Sequence, residues 1–109
     1  MICKVEIRAE LKQSLDAGAM TDRFWALCSE IFDAYSRSFA LSGFPSAAID
    51  DFRAEFDRRI QTHWMKLDPK RNPFAAINQQ ARWAQVSTVR KYKARVAREQ
   101  SYSQSQQEV

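Results

Sequence analysis

Residues 67–83 read LDPKRNPFAAINQQARW, and the two prolines in this stretch decide how the chain is divided. The residue before a proline is pushed out of the α region, and an interior proline removes a helical hydrogen bond. The apolar-periodic run that reaches Leu67 must therefore stop ahead of Pro69. Pro73 suits the first turn of a new helix, where its missing N–H leaves nothing unpaired, and Asn72 stands where it can cap that turn. The stretch is a short basic connection between two helices. Two uses are open for it: an ordinary joint between core helices, or a device that presents the second helix to nucleic acid.

Working outward, Gly18 and the pair Gly43 and Pro45 make two further divisions, so four helices are expected. The first runs from about Lys4 to Leu15, with Ile7, Leu11 and Leu15 on one stripe. The second begins after Thr21, a candidate N-cap, repeats Phe24, Leu27, Cys28, Ile31, Tyr35 and Phe39 down one face, and ends at Ser42 and Gly43. The third opens after Pro45 with Ser46 as cap and carries Ile49, Phe52, Phe56, Ile60, Trp64 and Leu67 inward. Its opposite side is a polar stripe of Asp51, Ala54, Arg58, Gln61 and Met65. The fourth runs from Pro73 to about Glu99, and residues 100–109, QSYSQSQQEV, are expected to be a polar disordered tail. No segment alternates with period two for long enough to make a strand. The expected fold is all-α: a compact bundle of about four helices over residues 1–99.

With 109 residues, the chain can bury one core and little more. Residues 1–70 hold ten Lys or Arg against eleven Asp or Glu, whereas residues 71–100 hold seven against one. The basic charge is thus concentrated in the fourth helix. Such asymmetry fits a polyanionic partner, nucleic acid before membrane, and it also fits a merely solvated face. Cys3, Cys28 and the single His63 make neither a metal-ligand set nor a disulfide framework, and the cysteines read as packing residues of a reduced protein. No signal-peptide pattern or bilayer-length apolar run is found, so a soluble, cytoplasmic protein is expected. Asp50, Asp51, Glu55 and Asp57 lie beside Arg53, Arg58 and Arg59 at spacings that suit mutual ion pairs. No phosphate loop, nucleophile set or metal motif occurs, and neither enzyme activity nor a cofactor is expected.

Allotting 100° per residue to the fourth helix places Phe74, Ile77, Ala81 and Tyr92 within about 60° of one another, toward the core. Trp83 falls on the opposite side with Gln79, Val86 and Arg90, and Arg82 and Lys93 lie on the flank. An exposed tryptophan among arginines and amides needs a reason. A base stacked on Trp83, with arginines drawing in phosphates, is one; packing against a protein partner or another part of this chain is the other.

Residues 35–96 then show a resemblance. The run contains Ser38-Phe39, Ser42-Gly43-Phe44, Leu67-Asp68 and Asn72-Pro73-Phe74-Ala75-Ala76-Ile77-Asn78-Gln79, in that order. In order and spacing it resembles region two of bacterial sigma factors, with its closest likeness to the late-transcription sigma factors of T-even bacteriophages. Members of that family carry a pattern like RF-x-x-SGY, then an FD pair, then a short basic loop leading into NP-x-A-x-I-x-Q and a basic helix. The resemblance covers a little over half of the chain.

It implies a phage-encoded factor, working in the cytoplasm of the bacterial host, that binds RNA polymerase core and directs it to late phage promoters. The third helix would dock on the clamp helices of the β′ subunit through Asp51, Ala54, Arg58 and Gln61. The fourth would read and help to open a minus-ten-like element through Gln79, Arg82, Trp83, Val86, Arg90 and Lys93. Primary sigma factors carry a tryptophan pair at the positions of Gln80 and Ala81, and the phage relatives have aromatics matching Ala76, Arg82 and Gln85. The chain offers no match to region four, so a simple promoter element or a phage coactivator is implied. The other reading is a sigma mimic that occupies the polymerase and inhibits or redirects it without touching DNA.

Overall fold

The computed structural model describes the backbone of residues 4–41 and 43–107, with side chains except at residues 40–41 and 100–107. Within it lie four α-helices: α1 (Lys4–Ala17), α2 (Asp22–Leu41), α3 (Ser46–His63) and α4 (Pro73–Gln107). A single 3₁₀ turn, Trp64–Lys66, follows α3, and no strand occurs among the described residues. The all-helical class holds. Cys3 and Ser42 lie outside the described residues.

The joints follow from local chemistry. Gly18 takes φ 73°, a left-handed conformation that few other residues adopt without strain, and its N–H and that of Ala19 return to the carbonyls of Leu15 and Ser14. Thr21 then caps α2, accepting the Phe24 N–H at 3.1 Å while its hydroxyl donates to Glu10 Oε2 at 3.0 Å. The buried Ser14 completes this knot by accepting the Thr21 N–H at 3.0 Å. One corner thereby satisfies the start of α2 and ties it to α1.

Ser46 does not cap α3. Pro45, extended at φ −69° and ψ 160°, holds the cap position without a side-chain bond, and its carbonyl accepts the N–H groups of Ala48 and Ile49. Ser46 is the first helical residue instead. At the other end α3 stops at His63 rather than running to Leu67, because the chain must be extended before Pro69, and Leu67 already has ψ 135°. The connection is tied down by its own polar groups. Asp68 Oδ1 accepts the Lys70 N–H at 2.9 Å, Asn72 Oδ1 accepts the Ala75 N–H at 3.1 Å, and Arg8 of α1 donates to the Arg71 carbonyl at 3.1 Å. Asn72 is therefore the cap of α4.

The core is aromatic on the α2–α3 side. Phe32 meets Phe52 and Phe56 with centroids 4.7 and 5.5 Å apart, and Phe39 meets Phe52 at 5.3 Å. Burying each such ring is worth about 1.5–3 kcal/mol. Phe44, just before α3, stacks on Phe39 at 4.4 Å and turns its edge to Tyr92 of α4. Every expected inward residue is buried or half-buried, and the core also takes Ser14, Phe32, Ala48, Ala84 and Thr88, which the apolar stripes do not reveal. Cys28 is buried, and burial, helped by the Asp57 carboxylate, pushes its thiol up to about 12. It is an inert packing group.

Helix α4 packs against α1, α2 and α3. Its 35 residues give it a length of about 52 Å. The backbone stays helical through Gln107, past the expected end at Glu99, because the Ser- and Gln-rich segment contains no Gly or Pro to stop it. Side chains from residue 100 onward, and residues 108–109, lie outside the described residues. The bundle is not compact as expected: the radius of gyration is 17.6 Å and the extents are 63 × 25 × 21 Å, against about 13 Å for the radius of a globular chain of this length. The excess is α4, whose last buried side chain among the described residues is Thr88 and whose last half-buried one is Val96.

Candidate nucleic-acid interface

The inward positions of α4, Ile77, Ala81, Ala84 and Thr88, fix its rotation on the bundle, and that rotation decides what it shows to solvent. Thr88 is buried without penalty because its hydroxyl donates to the Ala84 carbonyl at 2.8 Å. On the far side Trp83 is 49% and Val86 48% exposed, and Gln79, Arg82, Arg90 and Lys93 are exposed with them. All six residues singled out from the sequence share this outer face. Trp83, Val86 and Arg90 also line an open groove of about 520 Å³ between α3 and α4.

The sequence reading missed the rest of that groove. Ser87 and Lys91 come from α4 and Arg59 from α3. Ser87 and Lys91 each lie about 100° round the helix from Val86 and Arg90, so their place in the groove depends, like that of Arg59, on how the two helices pack. The groove brings together the aromatic Trp83, the aliphatic Val86 and three cations. Such a lining can take a planar ring on Trp83 and an anionic group beside it.

Apart from Lys91, whose charge acts on Glu55 of α3, the cations of α4 are uncompensated. Arg82, Arg90, Lys93, Arg95 and Arg98 form no ion pair among the described residues. Across the groove the opposite holds. Glu55 lies 2.8 Å from Arg58 and 3.0 Å from Arg59. The Arg58 hydrogen bond, with the charges of Arg58, Arg59 and Lys91, holds the Glu55 carboxyl below its ordinary range against the opposing effect of burial. On the flank facing α2, Arg53 Nε is 3.2 Å from the Asp57 carboxylate, its Nη2 donates to Ser29 at 3.0 Å and its guanidinium lies over the Phe32 ring.

Asp51, Ala54, Arg58 and Gln61 are all exposed on the outer side of α3, next to Met65, which is 63% exposed. Arg58 is not free there, since its guanidinium is engaged with Glu55. Gln80 is half-buried and Ala81 fully buried, so neither lies on the outer face with Trp83. Ala76 and Gln85 are half-buried, and Ala76 lines a second groove with Lys66, Asp68 and Arg71 at the α3–α4 connection. Among the described residues there is no cluster of metal-ligating side chains, and no helix is long and apolar enough to cross a membrane. No family model, curated protein or solved structure matches the chain.

Proposed function

We propose that the protein is a sigma-like specificity factor that docks on bacterial RNA polymerase core through α3 and contacts promoter DNA through α4. The observation that carries this reading is the outer face of α4, where Trp83 and Val86 stand exposed among cations with no acidic partner. Holding an unstacked base costs a few kcal/mol, and stacking on an aromatic ring returns about 1–3 kcal/mol of it. Arg82, Arg90 and Lys93 hold the backbone while Trp83 takes the base. The exposed stripe of Asp51, Ala54, Arg58 and Gln61 meets the β′ clamp helices, with Met65 adding apolar contact. In this reading the isolated protein binds DNA weakly and with strong salt dependence, because the polymerase supplies placement.

Reconstituted transcription tests the reading. Core polymerase with this protein, and with other phage proteins added, is expected to start at phage promoters, and Arg58→Glu to weaken its retention on core. No initiation from any phage promoter would sink it. One observation favours the second reading, a polymerase-binding mimic: the positions of the primary sigma tryptophan pair, Gln80 and Ala81, are half-buried and buried. Crosslinking from Trp83 and Arg90 to the non-template strand separates the two, since a pure mimic gives no crosslink.

A further inference from the structure

We propose that the segment of α4 from Arg90 to Arg98 is a basic arm that lies in the major groove of duplex DNA, continuing the Trp83 face through Arg90 and Lys93 and reaching beyond it through Lys91, Arg95 and Arg98. This rests on the reading of α4 as a DNA-contacting helix and on nothing about polymerase. The arm begins where full burial ends, with Tyr92 as its remaining contact to the bundle through Phe44. Ala84 and Thr88 are buried, and one heptad further along the same stripe stand Lys91 and Arg95, both exposed. The sequence changes from small residues to cations at the point where the helix clears the core.

Beyond that point cations surround the helix. At 100° per residue, Arg90 and Lys93 fall on the outer side, Lys91 and Arg98 on the flank, and Arg95 on the side that the bundle would otherwise cover. Arg90, Lys91, Arg95 and Arg98, with Glu99 the single acid among them, border a shallow concavity of about 590 Å³ over the small Ala94. Solvation alone does not call for this. A merely wet helix surface mixes signs, as α3 does, whereas Lys91 and Arg95 at i,i+4 and Arg95 and Arg98 at i,i+3 repel and work against the helix. Glu99 is the one acidic residue between Pro73 and Glu99. A polyanion reverses the cost of that repulsion.

Shape selects the polyanion. A helix about 10–12 Å across fits the roughly 12 Å major groove of B-form DNA, whereas the deep, narrow major groove of A-form RNA excludes it. A bilayer surface calls for a broad apolar face, and the arm has only the half-buried Tyr92 and Val96.

The test is anisotropy of a labelled duplex DNA with the full chain over a salt series, comparing wild type with Arg95→Gln/Arg98→Gln. Both residues are exposed and glutamine keeps helix propensity, so far-UV circular dichroism is expected to be unchanged. The double variant is expected to flatten the slope of log K against log salt by about 2 and to bind roughly tenfold or more weakly near 0.1 M salt. Duplex RNA of the same sequence is expected to bind less well than DNA, and anionic vesicles less well than either. An unchanged slope, or RNA or vesicles bound as tightly as DNA, overturns the arm. Loss of polymerase binding or initiation with this slope difference intact breaks the sigma reading alone.

Discussion

Helices α3 and α4 lie side by side and are both rich in arginine, yet they treat charge and packing in opposite ways. In α3 each arginine has an acid one turn away: Arg53 with Asp57, and Arg58 and Arg59 with Glu55. Its inner face is aromatic, set by Phe52 and Phe56. In α4 no cation forms an ion pair among the described residues, and the inner face past Ile77 is the small stripe of Ala81, Ala84 and Thr88. The difference shows which helix is complete within the molecule. α3 neutralises itself and anchors the core, whereas α4 lies close against the bundle and leaves its electrostatic field open.

The largest effect tests the anchoring half of this comparison. Phe52 is fully buried against Phe32 and Phe39, so Phe52→Ala is expected to cost about 3–5 kcal/mol in urea unfolding. A cost below about 1 kcal/mol would show that the ring cluster collapses readily and that α3 is no anchor. The next effect tests the open half. Trp83→Ala is expected to lower stability by no more than about 1 kcal/mol while weakening binding of single-stranded DNA by about 1–3 kcal/mol, roughly 5- to 150-fold. A variant that unfolds instead would mean that Trp83 is a packing residue after all.

The smallest effect concerns the self-neutralised side. The Glu55 carboxyl is held below its ordinary value near 4.5, first by the Arg58 hydrogen bond. A group depressed on folding contributes stability above its unfolded pKa and loses it as pH falls through the folded one. Wild type is therefore expected to exceed Glu55→Gln by a few tenths to about 1 kcal/mol at neutral pH, with the gap closing as the pH falls below the ordinary carboxyl value. Unfolding curves across that range check it, and a gap that persists at low pH would assign the difference to packing rather than charge.

Much of this contrast was legible from spacing. Asn72 and Thr21 were readable as caps because a short polar side chain ahead of an apolar-periodic run has few other uses, and both make the expected bonds to helical N–H groups. The pairs of α3 follow from i,i+3 and i,i+4 separations, and the exposure of Trp83 from the wheel of α4. Ser14 and Thr88 were not legible as core, because a buried hydroxyl depends on finding a nearby acceptor or donor, which no hydrophobic stripe records. Nor was the end of α3: a run of apolar residues through Trp64 and Leu67 keeps its period while the backbone tightens to a 3₁₀ turn and then extends. The groove beside Trp83 depends on α3 placing Arg59 there, and a single helix cannot predict a neighbour's contribution.

The unbroken course of α4 from bundle to arm has a metric consequence. A helix couples advance to rotation at 1.5 Å and 100° per residue, so Trp83 and Arg98 are held about 22 Å apart along one axis, with their azimuths offset by about 60°. There is no joint along that rod to absorb a mismatch. Whatever engages both ends must match its length and its phase, so α4 serves the molecule as a ruler.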